Sequence, residues 1–317
     1  MKYEFKSSFA EYMRNNLEQR IIWGYDVEDY KRKLASFDRF CLENEAGKAT
    51  LSKELAFAWC NDAKGNGGSN RAQALRIFGR YLLESRVDAY IIPPLFFTAK
   101  KADPPFIFTE QELTRFFKAT DHYPEKPTDL LQEYTVPVIF RLQYACGLRP
   151  KEVRCLRRMD FNFADGTIYI AKGKHYKDRK LAVDSSIMDL CRKYDDICEM
   201  SNSARIWFFQ SPSGTHYSRQ WLSKKFRECW IISGNDCNRG SCVAYDLRHN
   251  YATQILMRWT EEGRDLTAMI PYLSAYMGHA DFSSTFYYIH LLPERLSKMD
   301  FMHIDGVIPE VTNEEDR

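Results

Sequence analysis

The sequence predicts a mostly α-helical protein with one small three-stranded antiparallel sheet, divided into a helical N-terminal domain and a larger mixed α/β domain. Three observations lead there. Apolar residues recur at three- and four-residue spacing over most of the 317 residues, as in helices that bury one face. A single stretch, 161–184, instead carries β-type residues around an Asp-Gly turn. The segment PPLFFTAKKADPPF (93–106) holds four prolines and no amphipathic period, and reads as a semi-rigid interdomain linker.

Taken in order, residues 1–92 form the first domain. EFKSSFAEYMRNN (4–16), VEDYKRKLASFDRFCLEN (27–44) and the run from Arg71 to Leu83 read as amphipathic helices. NDAKGNGGSN (61–70) reads as a polar, glycine-rich loop, and a last helical segment ends before Pro93-Pro94. After the linker, 93–107, Thr109 and Glu112 have the spacing of a capping box and open the second domain, 108–300. Helical pattern runs to about 300 with one interruption, 161–184. There Asp165-Gly166 marks a hairpin, and a lysine-rich turn separates IYI from KLAV. Residues 301–317 form an acidic tail.

Composition narrows the function classes. A hydrophobic share of 44% and an aromatic share of 15% suit packed cores and exclude wholesale disorder. No apolar run is long enough to span a membrane, and the first residues lack an apolar signal core, so a cytoplasmic protein is expected. Nine scattered cysteines without a CxxC pair read as reduced thiols. Cys237 and Cys242 lack the second ligand pair of a zinc site, and no metal or cofactor is expected. Residues 1–299 carry 44 Lys and Arg against 37 Asp and Glu, whereas 300–317 carry 1 against 6. A mildly basic body suits a polyanionic partner, but many enzymes share it.

Four local signals fall in the second domain. In CGLRPKEVRCL (146–156), Gly147 suits a helix end and Pro150 the first turn of the next helix. That places Arg149 at a junction suited to gripping an anion. The turn KGKHYKDRK (172–180) carries Lys172, Lys174, Lys177 and Arg179, cations that can reach phosphates or base edges. In AYDLRHNYAT (244–253), Arg248 and His249 sit together at a helix start with Asp246 as its cap. In LSAYMGHADFSSTFYYIHL (273–291), His279 follows Gly278, and Tyr288 lies nine residues later in an aromatic cluster. Taken singly, each reads more readily as a surface charge or a packed aromatic than as part of a site.

As a set, in this order, they resemble the tyrosine recombinase (phage integrase) family over about 108–291. Its GLR-x-x-E element matches Gly147 to Glu152, and its D-L-R-H element matches Asp246 to His249. Its Gly-His matches Gly278-His279, and its terminal Tyr-x-His matches Tyr288 to His290. The family's hairpin Lys aligns with Lys172, with Lys174 and Lys177 close by. Residues 1–92 stand where the family has a helical, SAM-like core-DNA-binding domain.

The resemblance implies that Tyr288 is a nucleophile forming a 3′-phosphotyrosine, with Arg149, Arg248 and His279 on the phosphate, Lys172 as the acid and Glu152 in support. Lys174, Lys177 and Arg179 would bind DNA. The family's His-x-x-Arg His is Tyr245 here, which can donate a hydrogen bond but is a poor proton carrier near neutrality. Tyr287 is the rival nucleophile. The implied partners are double-stranded DNA with paired recombination sites, a homotetramer clamped on it and an accessory directionality factor. The implied role is integration or excision of a mobile element, without membrane or cofactor. A type IB topoisomerase-like relaxing enzyme and a vestigial DNA-binding regulator are the alternatives. The segment after Tyr288 would dock on a neighbouring subunit or on its own domain.

Overall fold

The computed structural model describes residues 3–44, 47, 49–63, 67–98, 105–124, 129–171, 178–236, 241–279, 285 and 288. The chain divides into two compact units, Met1–Asp103 and Pro104–Arg317. The first holds helices α1 (Ala10–Ile22), α2 (Glu28–Glu43), α3 (Lys53–Asn61) and α4 (Gly67–Glu84). Each turns an apolar face inward, and Phe9, Phe37, Trp59 and Phe78 meet at its centre, with Phe37 and Trp59 ring centroids 5.0 Å apart.

Two readings of this unit need correction. The glycine-rich stretch is not all loop: α4 already begins at Gly67. Gly68 lets the helix approach the α3 backbone, since a Cβ there would lie 3.0 Å from the Cys60 carbonyl oxygen. At its far end α4 stops at Glu84, well before the prolines. The chain turns through Arg86 and runs back extended, with Tyr90 N–H donating to the Leu51 carbonyl at 2.7 Å. The Arg76 guanidinium then ties down the carbonyls of Ile92, Pro93 and Phe96.

The second unit opens with α5 (Glu110–Asp121), whose Thr109–Glu112 capping box is formed as expected. Then come α6 (Gln132–Ala145), α7 (Pro150–Arg154) and the strands β1 (Phe161–Asn162), β2 (Thr167–Ile170) and β3 (Arg179–Ala182). The helices α8 (Ser185–Ser201), α9 (Arg219–Ile232), α10 (Asp246–Glu261) and α11 (Leu266–Met277) complete it. The strands form an antiparallel sheet in the order β1-β2-β3, with Ile168 opposite both Phe161 and Leu181. Helix α6 runs through the core, its Val136, Ile139, Phe140 and Leu142 fully buried.

Among the described residues, the helical pattern is interrupted beyond 161–184 as well. Residues 202–218 are also irregular, pinned by the buried Phe208 and Phe209 and by Phe208 N–H donating to the Leu156 carbonyl. No helix among the described residues is long and apolar enough to cross a membrane.

One buried charge organises the first unit. Asp38 accepts hydrogen bonds from Tyr3 Oη (2.8 Å), Ser7 Oγ (2.6 Å) and the amides of Lys6 and Ser7, which staples the segment before α1 onto α2. Burial alone would raise its pKa, and these hydrogen bonds outweigh burial and hold it below the usual carboxylate value. Its stabilisation is therefore full above the unfolded-state pKa of ~3.9 and lost as pH falls through the lower folded value. Asp38→Asn is expected to destabilise the first unit by about 1.5–3 kcal/mol in urea unfolding at pH 7, with a smaller difference at strongly acidic pH.

Candidate functional site

The site lies in the second unit, where four separated segments converge. Gly147 ends the approach from α6 with φ +56°, a left-handed conformation that glycine adopts without strain. A Cβ there would also stand 2.5 Å from the Tyr251 ring. This reversal puts Arg149 at the extended N-cap of α7, with Pro150 beginning the helix. Glu152 reaches back to accept the Arg149 amide at 2.9 Å and its Nη1 at 2.7 Å. Arg149 Nη2 donates to the Gly278 carbonyl at 2.6 Å, across 129 residues of sequence.

Arg248 lies in the first turn of α10 and is 0% exposed. Its Nη1 donates to the Gly147 carbonyl (2.7 Å) and its Nη2 to the Met277 carbonyl (2.8 Å), while Nη1 stands 3.9 Å from Glu152. Its Nε, equally buried, has no hydrogen-bond partner among the described residues. Burial and the neighbouring Arg149 charge lower its pKa. Asp246 is not the helix cap. Tyr245 occupies that position, and Asp246 instead accepts the Val243 amide at 2.8 Å.

Arg179 corrects an expectation. Strand alternation puts it on the inner face of β3, where its side chain is 9% exposed rather than offered to a DNA groove. It grips Glu152 bidentately at 3.0 and 2.9 Å and donates from Nε to the Tyr276 carbonyl. Burial alone would raise the Glu152 pKa, but Arg179, the Arg149 amide and the Arg149 charge pull it down to about 2. Gly278, at φ +66°, ends α11 beneath this guanidinium, and a Cβ there would meet Arg179 Nη1 at 2.7 Å.

Tyr288 is helical and nearly fully buried. Its ring stacks on His279 with centroids 5.9 Å apart, and its hydroxyl lies 3.2 Å from His249 Nδ1. Burial raises the phenol pKa, opposed by the charge and hydrogen bonding of Arg248. His279 Nδ1 is hydrogen-bonded to the buried Thr285 hydroxyl at 2.7 Å. Tyr245 is partly exposed, with its ring centroid 4.8 Å from that of His249.

Thus Arg149, Glu152, Arg248, His279, Tyr245 and Tyr288 are brought together. Lys172, Lys174, Lys177, Tyr287, His290, Cys237 and the chain beyond Tyr288 lie outside the described residues. Sequence reading named His249 in the D-L-R-H element but gave it no role, and it passed over Thr285. The four-residue spacing of Tyr245 and His249 on one helix face was the available signal for the first, and Thr285 had none. Among the described residues, no cluster of His, Cys, Asp and Glu could hold a metal ion.

Residues 107–295 match the pattern of the phage integrase family. A Sinorhizobium fredii chain described as an integrase/recombinase, y4rB, is 26% identical over 307 residues, covering 92% of this chain and 96% of that one. Among solved structures, the XerH site-specific recombinase bound to palindromic difH substrate aligns with a TM-score of 0.62 at 18% identity, over 89% of this chain and 80% of that one. A lambda integrase tetramer bound to a Holliday junction aligns with a TM-score of 0.54 at 13% identity, over 86% and 77%. At these identities the structural likeness is one of fold.

Arg179→Leu is expected to leave Glu152 buried with much of its compensation gone, at a cost of about 3–5 kcal/mol measured by urea unfolding at pH 7. Because the Glu152 pKa is depressed, this contribution is present above its unfolded value of ~4.3 and fades as pH falls towards about 2. An unchanged stability at pH 7 would mean that the ion pair contributes nothing net.

Proposed function

Because the chain belongs to the phage integrase family, we propose that it is a site-specific DNA recombinase that cuts and rejoins DNA through a covalent 3′-phosphotyrosine on Tyr288. The observation that carries this reading is the surroundings of one hydroxyl. Tyr288 Oη lies against an imidazole and under the influence of two guanidiniums, the buried Arg248 and the partly buried Arg149, drawn from other segments.

The proposed chemistry follows from the charges. Transesterification passes through a five-coordinate phosphorus with extra negative charge on its non-bridging oxygens. Arg149 and Arg248 would donate to those oxygens, and the unpartnered Arg248 Nε–H is a donor that a phosphate oxygen would satisfy. His279 would add a further donor, and the Tyr245 phenol another. Lys172 would protonate the departing 5′ oxygen, an otherwise very poor leaving group. Lys174 and Lys177 would hold the backbone nearby, whereas Arg179 acts through Glu152. The phosphotyrosine conserves the energy of the broken ester, so rejoining consumes no cofactor.

The proposed substrate is duplex DNA with paired sites, gathered by a homotetramer in the integration or excision of a mobile element. The fold shared with a lambda integrase tetramer on a Holliday junction supports that assembly. The first unit would add backbone contacts, making affinity steeply salt-dependent.

A nicked duplex carrying the target site, selected from DNA flanking the gene, lets the short 5′ fragment diffuse away. Wild-type protein should then accumulate as a denaturation-resistant adduct with the nucleotide on Tyr288. Tyr288→Phe should bind the duplex and form no adduct, and Arg149→Ala should cleave about 10²–10³-fold more slowly. A nucleotide on Tyr287, or an adduct from Tyr288→Phe, would overturn the nucleophile. No adduct from folded, DNA-bound wild type would overturn the recombinase reading.

A further inference from the structure

The attacking phenol must give up its proton, and the position that carries a histidine in the family is Tyr245 here. A phenol, with a reference pKa of ~10, is a poor proton acceptor near neutral pH. His279 is differently engaged: its ring lies 17° from parallel to that of Tyr288, and its Nδ1 is bonded to Thr285. One turn after Tyr245, on the same face of α10, His249 directs Nδ1 to within 3.2 Å of Tyr288 Oη. A phenol donates well and a neutral imidazole nitrogen accepts well, so the favoured sense is O–H to Nδ1, with Nε2 carrying the ring proton.

We propose that His249 is a catalytic residue of this protein: the base that takes the Tyr288 proton as the phenolic oxygen attacks phosphorus. The inference rests on the recombinase reading above. The proton passes from Tyr288 Oη to His249 Nδ1 while the Oη–P bond forms. The P–O5′ bond breaks, and the 5′ oxygen takes a proton from Lys172. Rejoining reverses each transfer, and His249 returns the proton to the departing phenolate.

Among the described residues, the titratable and charged groups against His249 are Tyr245, its ring centroid 4.8 Å away, Tyr288 and the charge of Arg248. Burial and the Arg248 charge hold its pKa down at about 4, so the imidazole is neutral and its Nδ1 lone pair is available. A base that weak does not deprotonate a phenol in the free protein. A phosphodiester seated between Arg149 and Arg248 offsets the charge that depresses His249 and favours the imidazolium. Proton transfer is thereby coupled to substrate binding.

The test is single-turnover cleavage by the full-length protein on the nicked duplex, followed against pH. Wild-type activity should fall on the acid side, as His249 becomes protonated. His249→Asn keeps an oxygen near the Nδ1 position that accepts a hydrogen bond but not a proton. It should bind the duplex, cleave about 10²-fold or more slowly and lose the acid-side fall. A substrate with sulfur at the bridging 5′ position needs no acid for the leaving group. It should restore Lys172→Ala and leave His249→Asn slow. Cleavage by His249→Asn within about tenfold of wild type, or an unchanged acid-side fall, would overturn the proposal. Should the Asn variant lose duplex binding, His249→Gln is read by the same criteria. A wild-type adduct on Tyr288 alongside an active His249→Asn would sink this inference alone, whereas no wild-type adduct would sink the recombinase reading itself.

Discussion

The Glu152 carboxylate stands among three guanidiniums, from Arg149, Arg179 and Arg248, each carried by a different segment of the second unit. Like charges ~4 Å apart repel by about 4 kcal/mol at an effective dielectric of 20. These cations could not be held together by packing alone. One carboxylate offsets part of that repulsion and leaves the cluster net positive. The backbone supplies the remainder, with the carbonyls of Gly147, Tyr276, Met277 and Gly278 all turned towards guanidinium donors. The residual positive charge is what would draw an anion, and the buried Nε of Arg248 has no hydrogen-bond partner among the described residues.

Elements specified by local chemistry were legible in the sequence. The Thr109–Glu112 capping box, the Asp165-Gly166 hairpin and the Gly147-to-Pro150 junction depend on neighbours a few residues away, and all formed. Misreadings occurred where distant packing overrode local pattern. Glycines at the start of α4 suggested a loop because flexibility is their commonest use, whereas here Gly68 serves close contact with α3. Arg179 sat in a lysine-rich run and so looked solvated. Its two-residue spacing from the buried Leu181 already placed it on the inner strand face.

The site itself was legible as a list but not as an arrangement. Sequence order brought forward Arg149, Arg248, His279 and Tyr288, yet it could not say that Arg179 and Arg149 share one carboxylate. Nor could it say that a phenol at position 245 leaves the imidazole of the next turn closest to the Tyr288 hydroxyl among the contacts described above. The Tyr245 ring packs on His249 and so helps set its orientation, which makes the two positions a coupled pair.

The contacts that orient the Arg149 and Arg248 guanidiniums span 129 residues in one case and 101 in another. During synthesis, a chain folded as far as α10 holds both arginines but lacks the Met277 and Gly278 carbonyls that aim them. Under the recombinase reading, an incomplete chain that already has the sheet and most of the second core can bind DNA without being able to break it. Under that reading, the order of the chain itself would hold the strand-breaking chemistry back until the end of α11 is in place.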